Sequence, residues 1–266
     1  MSESDVLVRK EGRIAVITLN RPQALNAMTT DLMSALGTAF DTVAADADVA
    51  AIVLTGSGRG FCSGADLAAS AAKPTLDAEG RLDLGAVLQT HYNPLIRKMQ
   101  ALPKPIIAAV NGMAAGAGAG VALMADLTIA ARDSYFLQAF VNVGLIPDAG
   151  CTWILPQALG PQRAMGLALL GERLPAETAK DWGLIWDVAD AETLLPNALA
   201  LAERLAAGPT LAIARIKKAI HAAADNDLPT QLDLERDLQR ECGRTQDFME
   251  GAAAFVQKRK ANFRGK

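Results

Sequence analysis

One carboxylate and two glycine-rich segments have the residue types needed for chemistry on a carbonyl compound. Asp148 lies among the apolar residues of segment 145–150, and apolar surroundings raise a carboxyl pKa toward the range suited to taking up and returning a proton. Segments 61–67 and 110–120 each place small residues after an apolar run, which predicts helix starts with unpaired backbone N–H groups. Two such donors and one acid suffice for chemistry through an enolate.

Each of these features also has a purely structural interpretation. Asp148 could be an ordinary helix N-cap, and the two glycine-rich segments could be turns without a further role. Asp66 is more simply explained as a cap or brace of its own loop than as a reacting group. The two histidines, His91 and His221, lack partners at the spacing of a metal site or a catalytic triad.

The elements that must position these segments alternate between strand and helix, which favours an α/β fold. Residues 6–9 and 14–19 predict a hairpin, and helical spacing of apolar residues covers 29–45. Residues 68–85 are rich in Ala and short polar residues and predict a variable flap. The remaining predictions are a helix at 86–101, strands at 50–55, 105–110, 127–130 and 135–137, helices starting near Ala149, Pro161 and Pro175, and an almost wholly helical chain after Ala191.

Bulk composition excludes several classes of protein. The net charge is −3 over 266 residues, which argues against a nucleic-acid-binding surface. The three cysteines have no paired spacing, so we expect no disulfide framework or zinc site and a reducing cytoplasm. No dinucleotide-binding, Walker-type or Gly-x-Ser-x-Gly motif occurs. Residues 106–125 carry no charge, but the preceding Pro103 and Pro105, the Asn111-Gly112 turn and the small residues favour a buried strand-turn-helix over a membrane span.

The chain resembles the crotonase superfamily, also called the enoyl-CoA hydratase/isomerase family. The resemblance rests on separated motifs at 14–28, 61–67, 110–120, 145–150 and 255–259. Segment 144–186 is most similar to the ring 1,2-epoxyphenylacetyl-CoA isomerases of bacterial phenylacetate breakdown. The resemblance implies a spiral of ββα units in residues 1–200 and a C-terminal all-helical trimerisation region in 201–266.

The resemblance also implies site residues. Ala65 and Ala117 occupy the two oxyanion-hole positions, where the backbone N–H acts, and Asp148 occupies the acid-base position of several isomerases. The expected substrate contacts are Arg21, Ala24, Leu25, Ser63, Gly64, Asp66, Leu67, Gly116 and Phe140. Hydratases of the family carry two glutamates, and the corresponding positions here hold Gly120 and Phe140.

A single acid suits proton movement between carbons better than addition of water. We therefore expect a cytoplasmic acyl-CoA isomerase without metal or redox cofactor, coenzyme A being part of the substrate. The implied reactions are conversion of the ring epoxide to its oxepin isomer and double-bond migration in an enoyl-CoA. A homotrimer or hexamer is expected, with a partner hydratase as a possible companion and with no nucleic acid or membrane contact. The alternatives are an enoyl-CoA hydratase and a non-catalytic scaffold subunit that binds a partner hydratase.

Overall fold

A computed structural model describes residues 4–266. Its strands form two sheets, and from the third to the eighth strand of the chain successive strands alternate between them. The six-stranded sheet has the order β1-β2-β3-β5-β7-β10, and the four-stranded sheet has the order β4-β6-β8-β9. The strands are β1 Val6–Glu11, β2 Ile14–Leu19, β3 Ala51–Gly56, β4 Gly60–Cys62, β5 Ile106–Val110, β6 Met113–Ala115, β7 Leu127–Ala131, β8 Tyr135–Leu137, β9 Arg173–Pro175 and β10 Asp187–Ala189.

In each of the pairs β3/β4, β5/β6 and β7/β8, one strand lies in each sheet and a helical segment follows the pair. This arrangement confirms the predicted spiral of ββα units. Strands β2, β3, β5, β7 and β10 are parallel neighbours. The mostly buried apolar sequences of β2, β3, β5 and β7 are typical of sheets covered on both faces. The predicted hairpin is confirmed, since β1 and β2 pair antiparallel. The short second-sheet strands β4, β6 and β9 were not predicted.

Helices fill the connections and the C-terminal quarter of the chain. They are α1 Thr30–Ala45, α2 Leu67–Ala72, α3 Leu84–Val87, α4 Asn93–Ala101, α5 Ala117–Leu123, α6 Cys151–Leu170, α7 Ala176–Asp181, α8 Ala191–Ala206, α9 Thr210–Ala222, α10 Leu228–Cys242 and α11 Gln246–Val256. The all-helical C-terminal region is confirmed. Among residues 4–266, no helix combines the length and the apolar character that crossing a bilayer demands.

Three predicted helix boundaries differ from the structure for identifiable reasons. The helix expected near Ala149 begins at Cys151, because Ala149 and Gly150 both have left-handed backbone angles. The helix expected at Pro161 is the second half of α6, which continues across a kink at Gly160 (φ 74°, ψ 165°). The helix expected at 86–101 contains a π-helical turn, Leu88–Tyr92, between α3 and α4, and one extra residue per turn leaves no readable mark in an apolar pattern.

Two buried layers of side chains hold the elements in place. The larger layer lies between the six-stranded sheet, α1, α4, α5 and the start of α6, and it includes Phe40, Leu54 and Phe61. The smaller layer packs α8 against the other sheet face through Ala198 and Ala202. Helix α9 is tied to the core by Lys217, which is buried and donates to Asp126 Oδ2 at 2.9 Å.

Candidate functional site

Hydrogen bonds to Met28 hold the loop after β4 so that the Ala65 N–H points away from the Met28 segment. The Met28 N–H donates to the Gly64 carbonyl at 2.7 Å, and the Asp66 N–H donates to the Met28 carbonyl at 2.9 Å. Met28 thus uses both backbone groups on the residues that flank Ala65. In parallel pairing the intervening residue directs its own N–H to the opposite side, so the Ala65 donor is directed away from the Met28 segment.

An ion pair between Arg21 and Asp66 braces the loop after β4. Arg21 Nη1 lies 3.1 Å from Asp66 Oδ2 and donates to the Ala27 carbonyl at 2.5 Å. The Asp66 carboxylate also accepts from Ala69 N–H as the N-cap of α2, and these bonds hold the pKa of Asp66 below its usual range. The bracing role considered for Asp66 is therefore present. The phosphate contact expected for Arg21 stays a prediction, with one guanidinium nitrogen already used by the protein.

The second donor, Ala117, is the first residue of α5. It follows Gly116, whose φ of 51° and ψ of −130° turn the chain sharply between β6 and the helix. The Gly116 N–H is fixed by the Leu137 carbonyl of β8 at 2.9 Å, and the Gly116 carbonyl accepts from Ala119 and Gly120. The N–H of a first helical residue has no partner within its helix, so the Ala117 donor is available at this turn.

Close contact of Gly64 and Gly116 brings the two donor loops together. β4 and β6 are parallel neighbours, with Cys62 beside Ala114. A Cβ atom on Gly64 would lie 2.9 Å from the Ala115 carbonyl oxygen and 3.5 Å from Gly116 Cα. The approach therefore requires glycine, and it places residues 65 and 117 on adjacent loops at the same end of the second sheet.

Asp148 precedes Ala149, which packs against Gly120 of α5, three residues beyond Ala117, and the protein leaves its carboxylate partly unsatisfied. Its Oδ1 atom is buried and has no hydrogen-bond partner within residues 4–266. Burial raises its pKa from 3.8 to about 6. The N-cap of α6 is Gly150 and not Asp148, so the structural explanation of Asp148 as a helix cap is wrong.

The surroundings of Asp148 include a group that the sequence did not indicate. Tyr92 is buried in the π-helical turn, and its pKa is raised by burial and by the charges of Asp148 and Cys62. Cys151 follows at the start of α6, where burial and the Asp148 charge raise its pKa and the Gln138 side chain contacts its thiol. A phenol near the carboxylate was missed because a π turn shifts which residue of a helix faces inward.

The other predicted contacts are placed as follows. Ser63 N–H donates to the Leu25 carbonyl at 3.0 Å and Ser63 Oγ to the Ala24 carbonyl at 3.4 Å, so residues 24–25 and 63–67 form one surface. Leu67 is exposed at the start of α2. Phe140 is buried, and its Cζ would lie 3.9 Å from a Cβ atom on Gly116. His91 bonds Thr90 and lines a separate cavity of about 180 Å³ against α1.

Comparison with known proteins identifies the family. Residues 9–266 match the model of the enoyl-CoA hydratase/isomerase family. The chain belongs to this family. It is 49% identical to the 1,2-epoxyphenylacetyl-CoA isomerase of Escherichia coli over 98% of both chains. It is also 48% identical, over 95% of both chains, to a Rhodobacter capsulatus protein named "Probable enoyl-CoA hydratase". The crystal structure of the Bacillus anthracis enoyl-CoA hydratase is similar in fold, with a TM-score of 0.90 at 30% identity over 98% of this chain and 100% of that one.

Positions 120 and 140, where hydratases of the family are expected to hold acids, have no acidic side chain in this chain. Gly120 lies in the middle of α5, directly against Ala149, and Phe140 fills its position with a buried ring. Neither residue can polarise a water molecule. Asp66 is committed to Arg21 and to the cap of α2, which leaves Asp148 as the carboxylate of this region with a raised pKa.

Proposed function

We propose that this protein is an acyl-CoA isomerase that acts through a thioester enolate. The observation that carries the proposal is the partly buried carboxylate of Asp148, whose raised pKa and packing beside α5 go with the lack of an acid at positions 120 and 140. Addition of water needs a positioned nucleophile and a proton donor, whereas an isomerisation needs one group that takes a proton and returns it.

The proposed reaction begins at the thioester carbonyl. Its oxygen accepts hydrogen bonds from the Ala65 and Ala117 N–H groups and gains negative charge as Asp148 removes the proton from the α-carbon. Each donor of this kind contributes about 3–4 kcal/mol to transition-state stabilisation. Asp148 then returns the same proton to the γ-carbon, so a β,γ double bond becomes α,β and no atom is gained or lost. A pKa of about 6 suits both halves of this transfer.

The preferred substrate is the CoA thioester of ring-epoxidised phenylacetate, whose isomer is a seven-membered oxepin. Similarity to the E. coli 1,2-epoxyphenylacetyl-CoA isomerase supports this choice. The same polarisation of the thioester would assist the electron reorganisation that expands the ring. The buried Phe140 ring is proposed to border the acyl group.

Enoyl-CoA hydration is the second candidate, and the R. capsulatus relative of nearly equal identity supports keeping it. The side chains at 120 and 140 argue against it. A scaffold that binds a partner hydratase without catalysis is disfavoured by the raised pKa of an unpaired carboxylate, which costs stability and has no structural purpose.

The remaining proposals concern binding and assembly. We propose that residues 21–25 and 63–67 hold coenzyme A, that no metal or redox cofactor takes part, and that the protein works in the cytoplasm as a homotrimer or hexamer. Exposed apolar side chains on the C-terminal helices support an assembly. They are Ile216, Ile220, Leu232, Phe248, Met249, Phe255 and Val256. Light scattering would give the number of subunits.

The direct experiment is product analysis with chemically or enzymatically generated ring 1,2-epoxyphenylacetyl-CoA. Conversion to a product of unchanged mass with the absorption of an oxepin supports the proposal. A product heavier by one water would favour the hydratase. Absence of any conversion with this substrate and with an enoyl-CoA panel would favour the scaffold.

A further inference from the structure

Helix α5 contains one part of the proposed catalytic apparatus and packs against the segments that lead to the other two. It begins with Ala117, and its glycines allow close packing on two sides. A Cβ atom on Gly118 would lie 2.6 Å from the Cys62 Sγ atom of β4, the strand that leads to Ala65. A Cβ atom on Gly120 would lie 2.7 Å from both the Cβ and the carbonyl oxygen of Ala149, the residue after Asp148.

The segment that follows Asp148 fits against α5 in a conformation that L-residues rarely adopt. Ala149 has φ 49° and Gly150 has φ 83°. A Cβ atom on Gly150 would in turn lie 2.9 Å from Met124 Sδ just beyond α5. Ala149 thus packs against Gly120, and Met124 packs against Gly150. Each of the two segments, 148–150 and 117–124, fits a side chain against a glycine of the other. The left-handed conformation is sterically unfavourable for alanine, and packing against α5 has to offset this cost.

We infer that Gly120 is a positioning residue that sets the place of the Asp148 carboxylate relative to the Ala117 donor. The inference rests on the proposed function and deepens it. The missing side chain at position 120 removes the second acid and also lets the 148–150 segment close onto α5. Where a side chain stands at this position, Ala149 must lie farther away, because one of its obstructing atoms is backbone and cannot rotate aside.

Asp148 would respond to displacement of this segment in a measurable way. Its carboxylate is held with Oδ1 buried and with no hydrogen-bond partner in the described part of the chain, close to the ionisable groups Tyr92 and Cys151. Neither of these groups is charged near neutral pH, so solvent exclusion is the main influence on its protonation. Any retreat of Ala149 from α5 admits water to Asp148 and lowers its pKa toward the ordinary value.

The test is the substitution Gly120→Ala, compared with Gly118→Ala and Gly166→Ala. Gly118 faces Cys62 on the other side of α5, and a Cβ atom on Gly166 in α6 meets nothing within 4 Å. For each variant we would measure kcat and KM for double-bond migration, the pH profile of kcat, the affinity for a non-reactive acyl-CoA, and thermal unfolding.

For Gly120→Ala we expect kcat to fall on the order of 100-fold, the loss that follows a misplacement of about 1 Å, with acyl-CoA affinity retained. We also expect the acidic limb of its pH profile to move below the wild-type position. Gly118→Ala should lower kcat without moving this limb, and Gly166→Ala should leave kcat and the limb unchanged. Replacing Ala149 with Gly in the Gly120→Ala background should recover part of kcat, because one obstructing atom is removed.

Wild-type kcat and pH profile in a folded Gly120→Ala protein would overturn the inference while leaving the role of Asp148 intact. If Gly120→Ala does not fold, the Gly120→Ala/Ala149→Gly protein is compared with Ala149→Gly alone. The Ala149 carbonyl oxygen still obstructs the added Cβ atom, so we expect the lower kcat in the double variant, and equal kcat values would overturn the inference. Loss of the proposed function itself would be seen separately, as full activity in an Asp148→Asn protein.

Discussion

Replacing Asp148 with asparagine should abolish isomerisation and stabilise the protein at the same time. The amide keeps the shape of the side chain but cannot exchange a proton. General acid-base groups contribute about 10²- to 10⁴-fold to rate, so we expect at least a hundredfold loss in kcat and in exchange of the α-proton with heavy water. Acyl-CoA binding should survive, because the backbone donors at 65 and 117 are unchanged.

The gain in stability follows from the raised pKa of Asp148. Burial raises this pKa from 3.8 in the unfolded chain to about 6 in the folded protein. The folded state therefore binds the proton more tightly, and ionisation costs folding free energy. The cost is absent below pH 3.8, grows as the pH rises toward 6, and is complete above it. At 1.36 kcal/mol per pKa unit, this difference makes the ionisation of Asp148 cost about 2–3 kcal/mol of folding free energy after allowance for partial exposure.

The assay is urea unfolding of both proteins at about pH 8 and at about pH 4. We expect Asp148→Asn to be more stable by about 2–3 kcal/mol at the higher pH and by less than about 1 kcal/mol at the lower pH. Asp187→Asn is a matched control, since Lys180 lowers the pKa of Asp187 and the substitution should destabilise. Wild-type exchange by Asp148→Asn would assign the base elsewhere, and a stability difference independent of pH would refute the argument from burial.

Three further predictions test other parts of the account. Ala117→Pro removes one donor, and we expect kcat to fall about 10²- to 10³-fold in a folded protein; unchanged kcat would remove Ala117 from the oxyanion hole. Gly120→Glu adds the carboxylate that hydratases carry, yet we expect no hydration of crotonyl-CoA because Ala149 occupies the space, and a clear gain would contradict this packing. Lys217→Met removes the buried cation that pairs with Asp126, leaving the carboxylate only its hydrogen bond from Ile106 N–H and the neighbouring His221. We expect the free energy of unfolding to fall by about 3 kcal/mol, as measured by urea unfolding. The exposed neighbour Lys218 offers Lys218→Met as the control, and equal effects would refute the buried ion pair.

The fold was largely predictable because its longer elements have clear periodicity. The strand of residues 14–19 and the helix of residues 29–45 bury regular apolar faces, and the structure contains both. Of the second sheet only β8, at 135–137, was predicted, and the three-residue strands β4, β6 and β9 show no readable pattern. Such strands are fixed by pairing with distant segments, as β4 pairs with β6, and not by local preference.

The site was predictable where it depends on backbone turns and apolar surroundings. Residues 61–67 and 110–120 indicated two adjacent donors, and the apolar neighbours of Asp148 indicated a raised pKa. The packing between elements at the site could not be predicted from the sequence. The contact between Gly120 and Ala149 joins residues far apart in sequence, and Tyr92, whose pKa is raised in part by the Asp148 charge, lies in a π turn that the apolar pattern does not reveal. The domain boundary near residue 200 remains a prediction.

The most direct test of the central claim is the ratio of two rates measured on one preparation. Double-bond migration of a β,γ-enoyl-CoA and hydration of the matching α,β-enoyl-CoA should be followed side by side over a range of chain lengths. With one carboxylate at 148 and no acid at 120 or 140, we expect migration to be much faster than hydration for every chain length. A hydration rate equal to or above the migration rate would contradict the account and would require a second carboxylate at the site.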